Sequence, residues 1–252
     1  VRILVRRGAD GAINLQLGDA AGAAQLASSP AALVGRIDEI VTRPQLAALS
    51  QSAIDNVTIR YEDARAGQAW NVDGGQVAIN RDANMIEMTS DLALLGNRAF
   101  ATTMEMSYRS EIGSAAADLY IGFDDMPAQD IAGQSPALSW LNALDAPISG
   151  GLSMEVDDTG KLGPLAASLD IDAGVRSPND TARPIAFDHA GAVLTYTPET
   201  NLIRFKSLAL DSKWISTRIE GKAQLEGMED GWHDALTSQL RATAFEANPL
   251  GI

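Results

Sequence analysis

Two histidines and no cysteine narrow the chemistry open to this 252-residue chain. His189 lies in Phe187-Asp188-His189-Ala190-Gly191 and His233 in Trp232-His233-Asp234, and both stretches read as turns beside strands. A three-histidine metal site is impossible, and neither histidine belongs to an H-E-x-x-H pair, which would aim two imidazoles from one helix face. The lack of cysteine removes disulfides, thiolate nucleophiles and cysteine-ligated metals. Paired acids occur at Asp124-Asp125, Asp157-Asp158 and Glu229-Asp230. Two carboxylates that share acid–base work must converge on one bond, whereas neighbours along a strand point to opposite faces. Asp157-Asp158-Thr159-Gly160 has turn chemistry, with aspartate side chains accepting from nearby amides. None of the acids has the D-x-[DN]-x-[DN]-G spacing of a calcium loop, and no G-x-S-x-G, S-x-x-K or Walker loop is present. The expectation is a non-enzymatic chain with no catalytic residue, no metal and no cofactor. A glycan-processing or hydrolytic β-enzyme would need two carboxylates in one cleft, and the acids here lie mainly at turns.

Charge and composition remove further classes. The formal charge is −14, from 19 Lys+Arg against 33 Asp+Glu. A nucleic-acid partner needs a basic stripe that releases counterions, so none is expected. A generic anionic-membrane binder is disfavoured for the same reason. The acidic surface keeps the chain in solution. Apolar residues make up 46% and aromatics only 5%, so Ala, Leu, Ile, Val and Met supply most of the apolar surface. No apolar run approaches the ~18 residues of a membrane span. The chain opens at Val1 in mid-strand and closes at Ile252 just after Asn248-Pro249, which reads as a segment of a longer polypeptide.

The elements that carry these residues are strands. In Ile215–Leu225 the residues Ile215, Ile219, Ala223 and Leu225 fall on one face, and Ser216, Arg218, Glu220, Lys222 and Gln224 on the other. The same two-residue period runs through 115–123, 152–157 and 165–172, and a period of two places each apolar set on one face of a sheet. Val1–Leu17 reads as a hairpin turning near Ala9-Asp10-Gly11, and residues 18–29 as a loop. Strands are expected over 54–61, 68–80, 85–95, 98–109, 115–123, 148–157, 164–173, 184–196, 201–210, 213–225 and 235–245, arranged as an antiparallel meander. Gly74-Gly75 marks a bulge or bend. In 201–210 the apolar phase slips between Phe205 and Leu208. Either the strand ends there or a bulge at Lys206-Ser207 restores one face.

Helix is sparse. One stretch is expected over 31–50, with a second short helix from Gln45 to Gln51. The other runs from Met126-Pro127 through an N-cap-like Ser135-Pro136 and on over 137–144, with Trp140 packing it onto the sheet. The fold class is therefore mainly β, a long antiparallel sheet with two short helical stretches. Its divisions are an N-terminal hairpin and loop (1–30), a first helix-plus-strands unit (31–125) and a second (126–252), all in one continuous sheet.

Such a sheet has a covering problem. Apolar area left in water is unfavourable by about 25 cal/mol per Å², and two short helices cannot cover this much of it. The sheet must fold on itself, pair with another chain, or hold an apolar ligand. The candidate groove residues are the alternating positions Ile86, Met88, Leu92, Leu94, Leu119, Ile121, Phe123, Leu165, Leu169, Ile171, Ile215 and Ile219.

Several segments resemble a known family. Pro44-Gln45-Leu46-Ala47-Ala48-Leu49 leads into 54–63 and then Gln68-Ala69-Trp70-Asn71-Val72. Met126-Pro127 and 138–144 lead into Leu144-Asp145-Ala146-Pro147-Ile148-Ser149-Gly150. Val156-Asp157-Asp158-Thr159-Gly160-Lys161-Leu162, Pro184-Ile185-Ala186-Phe187 and Thr195-Tyr196 follow. From about Pro44 to Leu225 this order resembles the AsmA-like envelope proteins of Gram-negative bacteria, the YhdP-type members in particular. The resemblance implies a long twisted, curled antiparallel sheet forming a β-groove, in a periplasmic segment of an inner-membrane-anchored protein built of such modules. Its architecture would be similar to TamB and to bridge-like lipid transfer proteins, with a role in moving phospholipid toward the outer membrane. It supplies no catalytic residue to carry over. The function expected is shielding of lipid acyl chains, with phospholipid or another apolar ligand as the partner. The alternative is a structural or interaction module of outer-membrane biogenesis that pairs with an envelope protein through its sheet edge or groove.

Overall fold

The period-two segments become strands. The fold is mainly β: among the described residues, an open, predominantly antiparallel sheet, a small three-stranded sheet and two short α-helices. The computed structural model describes residues 2–8, 13–17, 24–25, 30–43, 50–64, 67–95, 101–132, 141–176, 185–214, 216–224 and 241–249. The chain divides into two compact units, Val1–Phe123 with Ser153–Gly163, and Asp124–Leu152 with Pro164–Ile252.

The first unit contains β1 (Arg2–Arg7), β2 (Ile13–Leu17), β3 (Ala24–Gln25), α1 (Pro30–Val41), β4 (Gln51–Asp63), β5 (Gln68–Arg81), β6 (Met85–Leu95), β7 (Thr102–Glu111) and most of β8 (Ala117–Pro127). Their hydrogen-bonded order is β8-β7-β6-β5-β4-β1-β2-β3. β1 and β2 form the expected antiparallel hairpin, while the turn at 9–12 lies outside the described residues. The loop expected over 18–29 is interrupted, because Ala24 and Gln25 pair with Leu15 and Asn14. The second short helix expected from Gln45 falls largely outside the described residues, and Gln51 already belongs to β4.

β1 departs from the expected meander, because it pairs parallel to β4, from Arg2 opposite Thr58 to Arg7 opposite Asp63. A parallel pair needs a long crossover, and the β2–β3–α1 stretch supplies it. Neither β1 nor β4 records this distant partner in its own alternation.

Glycine does specific work in β5. Register with β6 shifts between Val72 and Gln76, Gly74 has φ +78°, and a Cβ on Gly75 would lie 2.7 Å from Leu92 Cδ2. The expected bulge is therefore present at Gly74-Gly75. It moves the apolar phase from Val72 to Val77 and Ile79 without leaving the face.

α1 covers part of that face. Val34 is buried with Tyr108, Ala117 and Val156, and Ile37, Met88, Leu119 and Leu162 pack against this cluster. The helix is also fixed by Asp38, one turn on from Val34, whose Oδ2 accepts a 2.8 Å hydrogen bond from the Gly113 amide of the β7–β8 turn.

The second unit takes the end of β8 and adds α2 (Ala128–Ala132), β9 (Leu144–Asp145), β10 (Pro147–Val156, through Leu152), β11 (Leu165–Ile171), β12 (Gly174–Arg176), β13 (Ile185–Phe187), β14 (His189–Thr197), β15 (Leu202–Asp211), β16 (Ser216–Gln224) and β17 (Arg241–Pro249). The larger order here is β17-β16-β15-β14-β11-β10, and β13-β12-β9 form the small sheet. α2 starts at the expected place but is short, and Gln129 Nε2 ties it to the Leu144 carbonyl at 2.8 Å. Residues 133–140, including Trp140, lie outside the described residues.

The single strand expected over 184–196 is two. A bend at Asp188 sends Ile185–Phe187 into the small sheet and His189–Thr197 into the large one. The Asp188 amide donates to the Asp211 carbonyl at 2.8 Å, which ties the bend to the end of β15.

Turn chemistry at Asp157 is as read from the sequence. Its Oδ1 accepts from the Thr159 amide (2.9 Å), the Thr159 hydroxyl (2.6 Å) and the Lys161 amide (2.9 Å), and Gly160 has φ +80°. These bonds hold the carboxyl below the usual aspartate range, with the Thr159 hydroxyl the largest cause.

Candidate functional site

Apolar side chains gather in rows across the second unit. Leu165 lies opposite Tyr196, Ala167 opposite Leu194, Leu169 opposite Ala192, and Ile171 opposite Ala190. Tyr196 then meets Ile203, Leu194 meets Phe205, Ala192 meets Leu208, and Ala190 meets Leu210. Across the next ladder Ile203 meets Ala223, Phe205 meets Gly221, Leu208 meets Ile219, and Leu210 meets Thr217. Residues directly opposite in a ladder share a face, so these rows make one apolar face on β11, β14, β15 and β16.

The bulge in β15 makes the face continuous. Phe205 pairs with Leu194 and Ser207 with Val193, so Lys206 is the spare residue. Without it, Leu208 and Leu210 would turn away from Ile203 and Phe205. The sequence reading that placed the bulge at Lys206-Ser207 matches the register.

The two ends of the face differ. At one end Tyr196 is buried, and its hydroxyl donates to Asn201 Oδ1 at 3.1 Å within the Pro198–Thr200 turn. At the other end Leu210 is 39% exposed. Leu165, in the Tyr196 row, and Leu169, Leu194, Phe205, Leu208 and Ile219 in the rows between are half-buried, while Ile171, in the Leu210 row, is buried. Ile215 lies outside the described residues.

In the first unit the candidate residues separate into two groups. Ile86 is fully buried, and Met88 and Leu119 pack with Tyr108 beneath α1, so these serve the core. Leu92 lies opposite Met104 and Leu94 opposite Thr102 and Val72, with both leucines half-buried. Ile121 and Phe123 follow Leu119 at the same period and are also half-buried.

The sequence reading missed two polar groups that lie on the apolar side. Asp63 is 2% exposed, and its Oδ2 meets Arg7 Nη1 at 3.4 Å and accepts from the Tyr61 hydroxyl at 3.2 Å. Tyr61 stacks on buried Trp70 with ring centroids 5.5 Å apart. The available signal was phase: Asp63 follows Val57, Ile59 and Tyr61 at the apolar period, as Arg7 follows Ile3 and Val5. The other group is Asp38, Tyr108 and Ser110. Asp38 Oδ1, Tyr108 Oη and Ser110 Oγ are buried and have no protein partner within hydrogen-bonding geometry.

Burial also sets how three tyrosines respond to alkali. Ionisation of Tyr61, Tyr108 and Tyr196 is pushed up, in each case mainly because burial disfavours the phenolate, and Asp63 adds to this at Tyr61. A raised folded-state value stabilises the fold fully below the unfolded tyrosine value of about 10, and that contribution is lost as pH rises through the folded values. Stability is therefore expected to fall above about pH 10, read as a urea midpoint that drops as tyrosinate absorbance rises. Ionisation of all three at the free-tyrosine pH with the sheet intact would contradict this.

His189 bridges strands on the opposite face. Its Nε2 lies 3.1 Å from Asp170 Oδ1 and its Nδ1 3.8 Å from Asp211 Oδ2. Among the described residues, no cluster of three or more His, Cys, Asp or Glu side chains could hold a metal ion. No described helix is long and apolar enough to cross a membrane. Comparison with protein-family models, with curated proteins and with solved structures gives no match.

Proposed function

We propose that this chain is a lipid-holding β module, with the apolar face of the second unit shielding phospholipid acyl chains. The observation that carries the reading is the row pattern on β11, β14, β15 and β16, where apolar side chains align over four neighbouring strands and remain largely half-buried. A face of that kind binds by area and fits a flexible hydrocarbon chain better than a ligand needing directed hydrogen bonds. The resemblance to AsmA-like envelope proteins supports the same reading, and with it a periplasmic location and a role in phospholipid transport between membranes.

The test is extraction of the purified chain with organic solvent, followed by mass spectrometry. Phospholipid is expected in the extract, with loss of lipid exposing the face to an apolar fluorescent dye. A lipid-free preparation whose Leu194, Phe205 and Leu208 are all covered by protein would overturn the proposal.

A further inference from the structure

Among the described residues the most exposed large apolar side chain is Trp214, at 79%, in the turn that joins β15 to β16. Lys213 Nζ sits 5.3 Å from its ring centroid, so a cation and an indole share one tip. The turn directly follows Leu210 and Asp211, so it lies at the end of the apolar face where Leu210 is exposed, away from buried Tyr196. The bend at Asp188 is tied to the same end through the Asp211 carbonyl, and Ile185, three residues before it, is 56% exposed.

Tryptophan is enriched where hydrocarbon meets headgroups, because its ring is apolar and its N–H is polar. Lysine beside it can reach a phosphate while its stem stays in apolar surroundings. The charges around the tip are mixed: Asp188 is exposed, and Asp170 and Asp211 face His189 nearby. That mixture complements a headgroup carrying both an ammonium and a phosphate, and it disfavours a uniformly anionic surface.

We infer that the β15–β16 turn docks on a zwitterionic phospholipid bilayer, with Trp214 at headgroup level and Lys213 on the phosphates, beside exposed Leu210 of the apolar face. This deepens the lipid-holding reading, on which its purpose rests. Acyl chains would pass from the bilayer to the Leu210 row without crossing open water.

The test is flotation of the whole chain with vesicles of phosphatidylethanolamine and phosphatidylcholine, beside uptake of a fluorescent phospholipid from detergent micelles. Trp214→Ala is expected to weaken flotation about tenfold, with Trp214→Phe recovering much of it and micellar uptake unchanged. Brominated phosphatidylcholine is expected to quench tryptophan emission in the parent chain and to lose most of that quenching in Trp214→Phe. Failure of the parent chain to float, flotation of Trp214→Ala equal to the parent, or binding to anionic vesicles only would each overturn the inference. Flotation that depends on Trp214 without micellar uptake would support the docking tip while removing the lipid-holding reading.

Discussion

Asp63→Ala is expected to destabilise the chain by about 3 kcal/mol, the scale seen when one member of a buried ion pair is removed. The carboxylate is almost wholly excluded from water and carries both the Arg7 contact and the Tyr61 hydrogen bond. Removing it leaves the Arg7 guanidinium, whose side chain is only 21% exposed, without its carboxylate. The pair also lies at the last register position of the parallel β1–β4 ladder. Urea unfolding is expected to show the lower midpoint, and native-state hydrogen exchange a selective loss of protection in β1. Replacing both members by apolar residues, Arg7→Met with Asp63→Leu, is expected to recover most of the stability, because neither charge of the pair then has to be held away from water. An unchanged midpoint for Asp63→Ala would show that the pair contributes nothing.

Leu194→Asp is expected to reduce lipid retention about a hundredfold, since a carboxylate against hydrocarbon costs about 3 kcal/mol. Leu194 occupies an inner row of the apolar face, between Ala167 and Phe205. It is only half-buried, so a carboxylate there keeps contact with water in the empty chain. The fold is therefore expected to lose less than about 1.5 kcal/mol. Val193→Asp is the control: Val193 is exposed on the opposite face, beside Ser168 and Ser207, and its substitution is expected to leave retention unchanged. Unchanged retention in Leu194→Asp would remove this face from ligand binding. A stability loss as large as that of Asp63→Ala would show that protein covers Leu194.

The sequence made local features legible and left distant ones dark. Alternation located the strands, and the slip between Phe205 and Leu208 narrowed that site to a bulge or a strand end, because both signals lie within a few residues. The Gly74-Gly75 bulge and the Asp157 turn were readable for the same reason. The parallel pairing of β1 with β4 was not, because a strand's alternation carries its faces and not its partner. The break at Asp188 was readable both as a turn around His189 and as one strand over 184–196, and only the partners of β13 and β14 decide between them. Burial of Asp63 and coverage of Met88 and Leu119 depend on what packs above them. The apolar face of the second unit was legible as a set of alternating positions, while its rows needed the register.

The spare residue in β15 gives that strand something like a reading frame. β15 has ten residues, and the neighbouring strands β14 and β16 have nine each. Deleting Lys206 would equalise the lengths yet turn either Ile203 and Phe205 or Leu208 and Leu210 to the wrong side. Inserting one residue elsewhere between Phe205 and Leu208 would suppress the deletion, as a second frameshift restores a gene. What the register requires at this position is thus a count rather than a lysine, and any residue that tolerates the exposed bulge serves equally well.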